Sequence, residues 1–73
     1  MRSFIDNAGQ AWDVAVGKES YGNLVLLFAP RDEEGYVRKT VMGATSLIDA
    51  ERELRTLTEQ DLQRRLEHSE EWD

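Results

Sequence analysis

Cysteine is absent from this chain of 73 residues, so no disulfide and no thiolate metal site can support its fold. Histidine occurs once, at His68, which excludes a structural zinc site built on imidazoles. His68 is read as an exposed helical residue, because its neighbours on a helix point in other directions and offer it no nucleophile or orienting group. Long apolar runs are missing. The longest, 24–29, is far shorter than the ~20 residues a helix needs to cross a bilayer. The opening Met1-Arg2-Ser3-Phe4-Ile5-Asp6 lacks the apolar core of a secretory leader, so a cytoplasmic protein with no membrane partner is expected. Glycine-rich phosphate loops, dinucleotide fingerprints and acyl-transfer elbows are also absent. No cofactor, no metal and no catalytic residue is expected, and the chain is read as something other than an enzyme.

Basic charge is scarce. Nine Lys and Arg face fifteen Asp and Glu, a net charge of −6. The deficit is uneven: residues 1–45 carry five bases and six acids, and residues 46–73 carry four bases and nine acids. An acidic C-terminal part disfavours a nucleic-acid or anionic membrane surface there. A chain this short is one domain, 1–73, with a modest core and about 4–11 kcal/mol of expected stability. Without disulfide or metal, a second subunit is the remaining general source of support, so a homodimer is expected.

What is present divides near Gly43: residues 1–43 read as β-sheet and 44–73 as helical. Residues 2–5 form a short strand, and Asp6-Asn7-Ala8-Gly9 supplies turn chemistry. Over 10–16, Trp12, Val14 and Val16 alternate with smaller or polar residues, the signature of a half-buried strand. The unbroken run 24–29 reads as a central strand buried on both faces. Residues 36–42 form a fourth strand with Val37 and Val41 as inward anchors and edge charges at Arg38 and Lys39. Asp32, Glu33 and Glu34 form a solvated turn before it. The short connections give a four-stranded antiparallel meander.

The helical part raises one question: does a single helix run from 46 to 71, or does it break at Thr58? Ser46-Leu47-Ile48-Asp49 and Thr58-Glu59-Gln60-Asp61 both resemble capping boxes, and Leu57 with Leu62 occupies hydrophobic-staple positions. An unbroken helix would bring Asp61 and Arg65 onto the Leu47/Leu54 stripe, where burial is costly. It would also measure ~39 Å, against ~29 Å for a compact domain of this length. The spacing therefore predicts two helices, 46–56 and 59–71, folded over one face of the sheet: an α+β domain. The predicted core is Trp12, Val14, Val16, the 24–28 run, Val37 and Val41, covered by Leu47, Leu54, Leu57, Leu62 and Leu66.

The helices cover one face, so the far side of the central strand must be capped by long side chains or used as a contact. Val25 and Leu27 on that side, with Trp72 near the C-terminus, are the candidate interface residues of a non-enzymatic protein–protein interaction or regulatory adaptor module. Closing its own domain is the simpler role for Trp72. The alternative is a single-stranded nucleic-acid binder. It would use Arg31, Tyr36, Arg38 and Lys39, where bases interleave with an aromatic.

Overall fold

The computed structural model describes residues 1–32 and 35–72. The order is β1 (Arg2–Ile5), β2 (Ala11–Lys18), β3 (Leu24–Pro30), β4 (Arg38–Val41), α1 (Leu47–Thr56), α2 (Glu59–Glu67) and β5 (Glu70–Glu71). All five strands lie in one antiparallel sheet in chain order, and β1 to β4 form the meander expected from the alternation. The turn between β1 and β2 is built by Asp6. Its carboxylate accepts the backbone N–H groups of Ala8 and Gln10 and the Trp12 indole N–H, while Gly9 takes a φ of +87°. Burial opposes ionisation of Asp6, but these donors outweigh it and hold its carboxyl below the usual 3.8.

The chain breaks between the helices at Leu57-Thr58. The Thr58 hydroxyl accepts the Asp61 N–H at 3.1 Å, and the Asp61 carboxylate accepts the Thr58 N–H at 3.1 Å, a complete capping box. The Thr58 backbone bond lowers the Asp61 pKa. Asp61 thus serves the cap, and Arg65 bonds Glu53 of α1 instead. At Ser46 only half of the box forms: its hydroxyl accepts the Asp49 N–H, while Asp49 pairs with Arg52. A further clamp comes from the first strand. The Arg2 guanidinium donates to the carbonyls of Leu54 and Leu57, the end of α1 that would otherwise lack partners.

The core lies between the sheet and the helices: Phe4, Trp12, Val14, Leu24, Leu26, Phe28 and Met42 below, Ala50, Leu54, Leu62 and Leu66 above. Val16 and Leu57 are partly buried against it, as the spacing predicts. Three predicted core positions lie elsewhere. Val37 and Val41 are exposed, because the register pairs Val41 with Val25 on the far face and leaves Arg38, Thr40 and Met42 facing the helices. Leu47 is exposed because α1 reaches the core only from Ala50 onward.

The last turn also departs from the reading of one helix over 59–71. The helix stops at Glu67, with His68 as an exposed C-cap. Ser69 is then caught by Arg38: Nε donates to the Ser69 hydroxyl at 2.8 Å and a terminal nitrogen to its carbonyl at 2.6 Å. Glu70 and Glu71 pair with Lys39 and Arg38, so β4 is covered over its charged residues and the expected edge position passes to β5. Arg64 and Arg65 in the last turn of α2 supply the cations its C-terminus favours, and Arg38 adds one from the sheet just beyond it. The Cα radius of gyration is 11.5 Å and the extents are 32 × 27 × 19 Å, shorter than an unbroken helix over 46–71 requires.

Candidate functional site

Four surfaces are candidates, and the sheet's far face comes first. Val25 has 0% exposure and offers nothing to a partner directly. Leu27, half-buried, leans across Gly17: a Cβ on that glycine would stand 2.5 Å from Leu27 Cδ1. Lys39 spans the rest. Its ammonium bonds Glu19 and lies 5.5 Å from the centroid of the Trp72 ring. Trp72 is 38% exposed, and its backbone N–H donates to the Val37 carbonyl at 2.8 Å. Long side chains thus cap the centre of this face around Val25, while Val37 and Val41 stay exposed at its margin and Trp72 is tied to the sheet by its backbone with one flank in water.

The basic hairpin residues do not converge. Arg38 and Lys39 are consecutive in β4 and project to opposite faces. Arg38 is held by Ser69 and Lys39 by Glu19, while Arg31 bonds Asp13 at 2.9 Å. Tyr36 is exposed before β4. Glu33 and Glu34, of the turn expected between Arg31 and Tyr36, lie outside the described residues, and Asp32 is exposed as expected.

A third surface was not expected from the sequence. At the end where the β2–β3 hairpin turns, Tyr21 is 93% exposed. In the first turn of α1, Leu47 and Ile48 are 58% and 71% exposed. A groove of about 280 Å³ at this end is lined by Val16, Lys18, Gly22, Leu24, Thr45 and Leu47, so it reaches the residue after Tyr21 and the residue before Ile48. Val41 is exposed near the same end, on the far face. Helical periodicity assigned Leu47 to the core because it cannot register where the sheet stops. The signal available was its place in the first turn, directly after Gly43-Ala44-Thr45-Ser46. Charge here is balanced locally: Lys18 lines the groove, and Asp49 pairs with Arg52.

The fourth surface is the β1 edge. Asp6 N–H donates to the Gln10 carbonyl, which fixes Phe4–Trp12 and Arg2–Val14 as hydrogen-bonded pairs of the ladder. Ser3 and Ile5 therefore turn their backbone N–H and C=O groups away from the sheet. Ser3 and Ile5 are both exposed, and no charged side chain in β1 points outward to guard the edge.

No group of three or more His, Asp or Glu positioned to hold a metal exists among the described residues. No helix among them is long and apolar enough to cross a membrane. Comparison of the chain with protein-family models, with curated proteins and with solved structures returns no match.

Proposed function

We propose that this chain is a small non-enzymatic interaction module whose first partner is a second copy of itself. The observation that supports the reading is a groove at one end of the domain with Val16, Leu24 and Leu47 in its lining, flanked in sequence by the exposed Tyr21 and Ile48. Single exposed apolar residues are ordinary, but a groove with apolar lining and exposed apolar chain neighbours suits a contact surface. The core of such a chain is small, and burying these side chains against another copy adds apolar area that the monomer lacks. Locally balanced charge lets two copies approach this end despite the net −6 of each. On the sheet's far face Leu27 and Lys39 cover only the centre, and Ile5, Val37, Val41 and Trp72 stay exposed around it, so that face is the alternative contact.

Sedimentation across a wide concentration range tests the proposal, comparing the native chain with Ile48→Asp. An acid in the first turn of α1 suits the helix dipole, so the variant should keep its urea midpoint. Concentration-dependent dimers in the native chain, abolished in Ile48→Asp, support the reading. A native monomer at every concentration, or an undiminished dimer in the variant, refutes it.

A further inference from the structure

Beyond that contact, we infer that the β1 edge is a second binding site, which takes an extended basic segment of another protein as a sixth strand. Ser3 and Ile5 offer two outward N–H and two outward C=O groups, the pattern that strand addition uses. The opposite edge makes the contrast. There the acidic pair Glu70 and Glu71 covers β4. A strand lying along β1 meets different surroundings on its two sides. On one side α2 rises from the sheet, held over the turn by the bond from Asn7 N–H to the Gln63 side chain at 2.9 Å. On the other, Ile5 is exposed beside Ala11. Alternate side chains of an added strand therefore point to the α2 side and to the far face of the sheet in turn.

Charge selects the occupant. Glu59, at the start of α2, and Ile5 together line both grooves along β1, one with Ser3, Phe4 and Arg31, the other with Asn7, Gln60 and Gln63. Arg31 is neutralised by Asp13, and Arg2 is directed at the α1 carbonyls. Glu59 makes no ion pair among the described residues, and the whole chain carries −6. A Lys or Arg in the added strand would meet Glu59, and an apolar residue next to it would meet Ile5. A second copy of β1 suits this edge badly. It would bring Glu59 toward its own counterpart, and four residues a side fall far short of the roughly 20–30 that a stable interface uses.

The test is a titration of the full chain with the capped hexapeptide (Lys-Val)3, read by amide NMR shifts, at low salt. Binding should move the Ser3 and Ile5 amides and weaken as salt rises. Glu59→Gln should lower affinity about twofold to fivefold, as loss of one solvent-exposed ion pair implies. The same peptide N-methylated at alternate backbone nitrogens, on the edge that faces β1, should lose binding. Equal binding of (Glu-Val)3, or an unchanged affinity in Glu59→Gln, overturns the choice of a basic occupant. Absence of binding, or shifts confined to other residues, overturns the site itself. Ile48→Asp should bind (Lys-Val)3 like the native chain, which separates this site from the apolar end.

Discussion

Replacing Arg38 with Met keeps an aliphatic stem beside Phe28, its partner in the β3–β4 register, and removes the two bonds that hold Ser69. Hydrogen bonds to a charged group contribute about 1.5–3 kcal/mol each, and two would sum to about 3–6. The guanidinium is only part-buried, so water replaces some of that on its removal. A net loss of about 2 kcal/mol is expected, a large part of the ~4–11 kcal/mol available to a domain of this length. Urea unfolding measures the global term. The local term is hydrogen exchange at the Trp72 amide, which donates to Val37 and should lose protection before the β2–β3 amides do. Ser69→Ala should cost less, about 1 kcal/mol, since Arg38 keeps the Ser69 carbonyl. An Arg38→Met chain within ~0.5 kcal/mol of native, with the Trp72 amide still protected, would refute the claim that this contact ends α2 and seats β5.

Three further outcomes follow from contacts already described. Gly17→Ala should push Leu27 outward and cost about 1 kcal/mol, whereas in a Leu27→Ala background the same change should be stabilising by about 0.5 kcal/mol. Identical effects in the two backgrounds, measured by urea unfolding, would contradict that packing. Asp6→Asn should cost about 1–2 kcal/mol at neutral pH, because an amide nitrogen would confront the Trp12 N–H. The folded Asp6 carboxyl binds its proton less readily than the unfolded one. Its contribution is therefore complete above the ordinary value of 3.8 and lost as pH falls through the lower folded value. Asp6→Asn should accordingly flatten the acid limb of stability against pH. Thr58→Ala should cost about 1 kcal/mol in thermal or urea unfolding, the usual worth of an N-cap.

Much of this architecture is legible in local pattern. Trp12, Val14 and Val16 alternate, and their strand forms with that face inward. Thr58 and Asp61 stand at capping-box spacing, and the box closes. What escapes local reading depends on contacts between distant residues. Glu70 and Glu71 have no strand propensity, and they join the sheet because Arg38 turns the chain at Ser69. The same arginine explains β4: with Arg38 directed toward the helices, Val37 and Val41 must face the other way. At the apolar end, Leu47 and Ile48 fit a helical stripe in sequence, but the sheet beneath them has already stopped. The β1 edge depends on hydrogen-bond phase, which the Asp6–Gln10 bond sets and composition does not reveal.

The Arg38–Ser69 contact joins residues 31 positions apart, whereas each hairpin of the meander closes over a few residues. The fifth strand follows α2 and pairs with β4, so it can seat only after both are in place, which makes this link a late event in folding. Native interactions formed after the transition state govern how fast a protein comes apart, and leave its rate of assembly almost untouched. The fifth strand would then be a kinetic lock: weakening it should steepen loss of the native state under stress, while a refolding chain reaches the sheet and helices as quickly as before.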